Sequence, residues 1–211
     1  MTTRIVLGSA SAARAAILER AGIPFTQVPA DIDEAALVTE ISKPRVQAQA
    51  LATAKAHAVA DRLMTEQRVT EATYILAADS VFELEGQPFG KPHRPEIARE
   101  RWRNQRGKTG TLHTGHCVIA MLAGQSQRVL QETVSATVTF ANVSDAVIDD
   151  YVATGEPLGV AGGFTLEGYG ATMVSAVNGD PNAVLGLSLR AVRELLERLD
   201  VRLTQLWDTH E

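Results

Sequence analysis

The sequence holds one cysteine, Cys117, among 211 residues. A lone thiol forms no internal disulfide, so the fold is expected to stand without cross-links in a reducing cytoplasm. Bases are fewer than acids, 20 Lys and Arg against 25 Asp and Glu, for a formal charge of −5. That balance argues against a polymeric nucleic acid as partner, which calls for a basic surface. It leaves room for a few cations to converge on a small anion. No apolar run approaches the ~18 residues of a membrane helix. The first one, Ile5 to Leu7, is also far shorter than the roughly 7–15 apolar residues of a secretory signal. Neither membrane nor export is therefore expected. Internal repeats, low-complexity tracts and a GxxxxGK[ST] phosphate loop are absent too. What is present, 45% hydrophobic and 21% charged residues, is the mixture of a globular chain and excludes a disordered one. Residues 1–211 are expected to form a single domain, which at this size hides roughly 70% of the unfolded chain's surface.

Punctuation along the chain sets the elements. Residues 4–8 read as a short buried strand, followed by a helix to Arg20 that is capped by serine and stopped by Gly22. A second helix is expected over 43–64, with Ser42 as its cap and Pro44 in its first turn. Residues 74–82, YILAADSVF, do not alternate, which marks a central strand buried on both faces. Glu85 and Gly86 make a turn, and 95–105 a helix ending near Gly107. Two long runs, 111–122 and 128–140, joined by residues 123–125, read as an antiparallel hairpin. Ser144 caps a helix carrying Val147, Ile148, Tyr151 and Val152. A glycine-dense stretch, 155–170, is expected to be a strand pair, followed by a strand over 171–177. The final helix, 188–199, keeps a stripe of Leu189, Val192, Leu195, Leu196 and Leu199. Interleaved strands and helices around a hairpin give an α/β chain with a mixed central sheet flanked by helices.

Several residues can carry chemistry, each beside a plainer role. Ser9, Ser11 and Arg14 border a helix N-terminus, which suits phosphate or is simply a capped helix with a surface arginine. Lys55 shares a helix face with Leu51 and Val59, so its ammonium either snorkels to water or meets an anion. Asp79 interrupts an apolar strand. A carboxylate there is costly unless paired, metal-bound or protonated, which fits a general base, a cation ligand, or a strand-end hydrogen bond. Lys91, between Gly90 and Pro92, fixes a cation at a loop tip. Asp31, Asp33 and Glu34 cluster as a metal site or a solvated loop. His113 and His116, three apart in a strand, face opposite sides and are poor joint metal ligands. Cys117 reads as core.

Taken in order, LGSASAAR, LATAKAHAVA, AADSVFELEGQPFGKP, LHTGH, TGEPLGVAGGFTLEGYGA and NGDPNAVLGLSL resemble the Maf family of nucleoside triphosphate pyrophosphatases. The family typically reads LASxSPRR at the first of these, an ADT- or SDQ-like core before GKP at the third, and GLP near the last. The resemblance implies hydrolysis of a nucleoside triphosphate to monophosphate and pyrophosphate with a divalent cation, Mg²⁺ or Mn²⁺. It implies an inosine-triphosphatase-like fold with two lobes around a nucleotide cleft, and a possible homodimer. It also carries an association with cell division, so a nucleotide-sensing regulator of septum formation acting through a protein partner is the alternative. By matched positions Asp79 is the proton acceptor, Ser9, Ser11, Arg14, Lys55 and Lys91 bind phosphates, and Asp79, Asp33 and Glu34 hold the metal. The chain departs from the pattern at Ala13, where the family has arginine, at Ser80, where it has threonine, and at Glu167, where one branch has glutamine. These departures point away from thymidine and uridine triphosphates and towards another base, including modified ones.

Overall fold

The computed structural model describes residues 3–69, 71–122 and 127–207; the expected turn at 123–125 lies outside them. Strand β1 (Thr3–Leu7) runs through Gly8 into helix α1 (Ala12–Arg20), where the Ser11 hydroxyl accepts the N–H of Arg14 and Gly22 adopts positive φ beyond the end. Strand β2 (Thr26–Gln27), helix α2 (Glu34–Val38) and helix α3 (Pro44–Thr65) follow. Of the acidic cluster expected as a loop, residues 31–33 are one and Glu34 opens a helix, which Asp33 caps by accepting the N–H of Ala36. Nor does Ser42 cap α3. Lys43 holds that position without a side-chain bond, and Pro44 starts the helix with a residue that needs no N–H partner.

Strand β3 (Ala72–Leu84) turns at Glu85 and Gly86, both at positive φ, into strand β4 (Gln87–Phe89). Then come helix α4 (Pro95–Gln105), strands β5 (Thr109–Met121) and β6 (Arg128–Phe140), and helix α5 (Asp145–Ala153), capped by Ser144. The expected strand pair at 155–170 is instead a set of 3-10 turns, Glu156–Gly159, Ala161–Gly163 and Tyr169–Met173. Gly162 and Gly163 have φ of 72° and 65°, which a strand does not tolerate. Strand β7 (Val174–Asn178), helix α6 (Pro181–Val184) and helix α7 (Leu189–Glu197) complete the main elements.

The sheet has the order β2-β1-β3-β5-β6-β7, with β4 also on β3. Its β1–β2 and β1–β3 pairs are parallel and the rest antiparallel, so it is mixed as expected. On one edge β3 pairs with β5 from Thr73 to Glu83. On the other edge it pairs with β1 up to Leu76 and with β4 only from Phe82. Residues 77–81 lie between, and among the described residues no strand pairs with them on that edge. The sheet is thus notched in its middle, with Asp79 at the centre of the notch.

Helices cover both faces. Leu76, Ala78 and Val118 pack under α1 and α7 through Leu18, Val192, Leu195 and Leu196. On the reverse face Ile75, Ala77, Cys117 and Ile119 pack under α3 through Ala52, Ala56 and Val59. Beyond the notch Phe82, Trp102, Phe140, Tyr151 and Phe164 form a separate aromatic core, with edge-to-face rings at centroid distances of 5.0–5.8 Å. Two lobes therefore share β3, β5 and β6 and are divided by the notch. Gly115, paired with Asp79, lets α3 lie directly on β5: a Cβ there would stand 2.4 Å from the Ala48 carbonyl oxygen. Gly115→Ala is expected to push α3 off the sheet and cost about 1–3 kcal/mol, the usual range for overpacking. Urea unfolding checks this; an unchanged midpoint would show that α3 is not seated by this contact.

Candidate functional site

The notch gathers charge from both faces, because Asp79 and Ser80 are neighbours in β3 and point oppositely. On the α3 side the Lys55 ammonium bonds Asp79 Oδ1 and lies 2.8 Å from Glu34 Oε1 of α2. Asp79 and Lys55 are each 8% exposed, whereas the Glu34 side chain is half exposed. The apolar stripe that carries Lys55 thus delivers its cation to a buried carboxylate, and snorkelling to water is not what happens. Asp33, expected beside them as a metal ligand, caps α2 through Oδ1, 3.0 Å from the Ala36 nitrogen. Among the described residues no three His, Cys, Asp or Glu side chains gather as a metal cluster. What the site offers a cation is the Asp79–Glu34 pair of oxygen donors, already arranged around one positive charge.

On the α1 side the Arg14 guanidinium is buried and forks three ways. Its Nε donates to the Gly186 carbonyl at 2.8 Å, Nη1 to Ser9 Oγ at 3.1 Å and Nη2 to Ser80 Oγ at 3.3 Å. Ser9 Oγ also accepts the Ser11 N–H at 3.2 Å, so the two serines and Arg14 form one knot at the start of α1. Burial pulls the guanidinium below its ordinary pKa, and the Asp79 and Glu34 carboxylates act against that loss. Ser80 continues through Thr114, 2.8 Å away, whose hydroxyl donates to the Ala183 carbonyl at 2.7 Å.

Lys91 comes from the other lobe. β4 runs antiparallel to β3 with Phe89 opposite Phe82, so the chain leaving it, Gly90 and Lys91, heads towards the notch. Pro92 is buried under the glycine-dense turns and leaves Lys91 exposed at the rim.

The family described as Maf-like protein matches residues 4–199. A protein of Leifsonia xyli subsp. xyli (strain CTCB07), named nucleoside triphosphate pyrophosphatase, is 44% identical over 211 residues, covering 97% of each chain. This chain belongs to the Maf family. A protein of the same name from Mycobacterium sp. (strain JLS) is 42% identical over 210 residues, covering 98% of this chain and 99% of the relative. Among solved structures, the Ham1 protein of Staphylococcus aureus aligns over 98% of this chain and 94% of its own at a TM-score of 0.38 and 12% identity, too loose a likeness to carry an argument.

Of the three departures from the Maf pattern, Ser80 lies in the notch, and Ala13 and Glu167 are connected to it through α1. Ser80 is held in the Arg14–Thr114 chain. Ala13 lies on the stripe of α1 that ends, seven residues on, at Arg20. Arg20 Nη1 reaches 2.5 Å to Glu167 Oε1, so Glu167 of the far lobe is tied to α1. The loop carrying Glu167 is itself knotted by Glu156, which accepts the Tyr151 hydroxyl and the N–H groups of Tyr169 and Gly170 at 2.8–2.9 Å.

Thr114, Gly186, Arg20 and Glu156 escaped the reading of single residues. His113 and His116 do face opposite sides. His113 bridges Ser135 and Glu83, and His116 bonds the Ser188 N–H. Cys117 is fully buried, and burial pushes its thiol up to about 12, which leaves it inert. Lys55→Met would strand the Asp79 carboxylate without its cation. The expected loss is about 3 kcal/mol, the low end for breaking a buried pair, and adding Asp79→Asn should return part of it. Urea unfolding of the single and double variants measures the coupling; a loss below about 1 kcal/mol for Lys55→Met would place the pair among inconsequential surface bridges.

Proposed function

We propose that this chain is a nucleoside triphosphate pyrophosphatase that opens the bond between the α- and β-phosphates, yielding monophosphate and pyrophosphate. The observation that carries the reading is the buried Asp79 carboxylate at the centre of the notch, with Lys55 bonded to it and the Arg14 guanidinium on the opposite face; Lys91, which follows β4, is read onto its rim. The names of the relatives support it. A triphosphate is strongly anionic, and a protein of net charge −5 needs such a local concentration of positive charge to hold it. The N-terminus of α1 adds N–H groups and a partial positive charge to Arg14, Ser9 and Ser11.

In this reading Lys55 fixes Asp79 through Oδ1, and Oδ2 orients and deprotonates the water that attacks the α-phosphorus. The proton passes from that water to the carboxylate. The negative charge that develops on the phosphoryl oxygens is met by guanidinium and ammonium groups already in place, the dominant form of stabilisation in phosphoryl chemistry. Pyrophosphate leaves against Lys91 at the rim. Glu34 and Asp79 would hold a divalent cation, which Mg²⁺ accepts with one or two carboxylates plus substrate oxygens. Bound there, it would neutralise phosphate charge. No described helix is long and apolar enough to cross a membrane.

Base choice follows from Glu167. A carboxylate accepts hydrogen bonds only, so it favours a base edge with adjacent N–H donors or positive charge, such as guanine or N7-methylguanine, over the mixed edge of thymine or uracil. Asp79→Asn is expected to lower turnover at least ~10²-fold, the scale of a lost general base, with nucleotide binding retained. Near wild-type turnover in a pyrophosphate-release assay would remove Asp79 from the chemistry. Glu167→Gln is expected to raise kcat/KM for thymidine and uridine triphosphates relative to guanosine triphosphate. A wild-type protein that already works best on the pyrimidines would overturn the assignment of Glu167.

A further inference from the structure

The residue that aims Arg14 is two steps behind it. Gly186, whose carbonyl takes the Arg14 Nε–H, belongs to the short segment 183–188, and that segment is strapped to β5 at two points. Thr114 donates to the Ala183 carbonyl at 2.7 Å, and His116 Nε2 accepts the Ser188 N–H at 2.9 Å. Thr114 and His116 are two apart in β5, so both point to the face that carries α1 and α7. Between the two straps Gly186 adopts a φ of 109°, which turns its carbonyl towards Arg14; a Cβ there would sit 3.4 Å from Arg14 Nε. Ser188 is fully buried, caps α7 and donates its hydroxyl to Asp180.

His116 is fully buried as well. It can accept from Ser188 only as the neutral imidazole with its proton on Nδ1, which then donates to the Glu132 carbonyl, 3.2 Å away. We infer that His116 is a positioning residue for the triphosphate site: as a neutral acceptor it holds segment 183–188 so that the Gly186 carbonyl aims the Arg14 guanidinium into the notch. A protonated ring would present a second donor to the Ser188 N–H and release the strap. Burial pushes the His116 imidazole down to about 4; the Glu132 carbonyl raises it, Arg14 lowers it further, and the carboxylates of Glu132 and Asp180 raise it. Arg190 of α7 is paired with Glu132 at 2.9 Å and with Glu194 at 2.5 Å. The unfolded chain binds the His116 proton near pH 6.5, the folded one near 4. The stabilising contribution of the neutral ring is therefore present above pH 6.5 and lost as pH falls towards 4.

This inference rests on the reading of Arg14 as a phosphate ligand, and the test separates the two. Inorganic tripolyphosphate is the probe, because it carries the phosphates without a base. Its binding is measured by calorimetry from pH 3.5 to 7.5, with circular dichroism at each pH to keep the comparison to folded protein. At pH 7.5 Arg14→Gln is expected to weaken binding at least ~10-fold, and His116→Leu, which leaves the buried Ser188 N–H unpaired, roughly 10-fold. His116→Gln, which can accept the same N–H and does not titrate, should restore binding and remove the extra loss of affinity that the wild type shows as pH falls through about 4. If Arg14→Gln binds like the wild type, the phosphate reading fails. If Arg14→Gln loses binding while folded His116→Leu does not, the positioning role is overturned. If His116→Leu does not fold, the pH comparison decides: parallel profiles for the wild type and His116→Gln overturn the role.

Discussion

A break in hydrogen bonding along one strand edge organises this molecule. β3 is paired with β5 for nearly its whole length, but its other edge is served by two short strands that do not meet. β1 stops at Leu7 because Gly8 donates the last rung to Leu76, 2.8 Å away, and the chain then turns into α1. β4 begins to pair only at Phe82 because the Glu85–Gly86 turn sends it back for three residues. The open stretch lies beyond the carboxyl end of a parallel strand, where α/β sheets place their ligands. Asp79 and Lys55 come from the middles of β3 and α3, and the groups around them arrive where elements end or turn: the start of α1, the exit of β4, and segment 183–188 from the far side.

The same notch reconciles an acidic protein with an anionic ligand. Lys55 is neutralised by Asp79 and Glu34, and Arg14 is held by carbonyl and hydroxyl oxygens that cancel none of its charge. The two cations thus enter the site in different states. Arg14 is a fork with its charge available, suited to phosphate oxygens. Lys55 is part of a local ion cluster that fixes the Asp79 carboxylate. The lobes on either side are built from different material, aliphatic packing under α1, α3 and α7 and an aromatic cluster beyond Phe82. The few aromatic residues of the chain are largely spent on one lobe.

Much of this was legible in the sequence where local rules decide. The non-alternating run around Asp79 announced a strand buried on both faces, and the serines before α1 and α5 announced those helices by the side chain that caps each one. Lys55 stood out because an ammonium on an apolar stripe needs a partner. The failures are long-range or depend on competition between near-equal local choices. Glu34 was read into the loop of residues 31–33 because five-residue α2 has no buried face to show in its pattern. The glycine-dense segment looked extended because alternation cannot reveal the positive φ of Gly162 and Gly163. Thr114, Gly186 and His116 were invisible as site residues, since each acts through a neighbour brought close only by the sheet register.

The most direct test of this account follows the oxygen of the attacking water. Hydrolysis of a nucleoside triphosphate in ¹⁸O-enriched water, read by ³¹P NMR and mass spectrometry, reports which phosphorus is attacked. A site built around Asp79, with Arg14 and Lys55 on the inner side and Lys91 at the rim, predicts one ¹⁸O on the nucleoside monophosphate and unlabelled pyrophosphate. Label appearing instead in free phosphate, with nucleoside diphosphate as the other product, would contradict it.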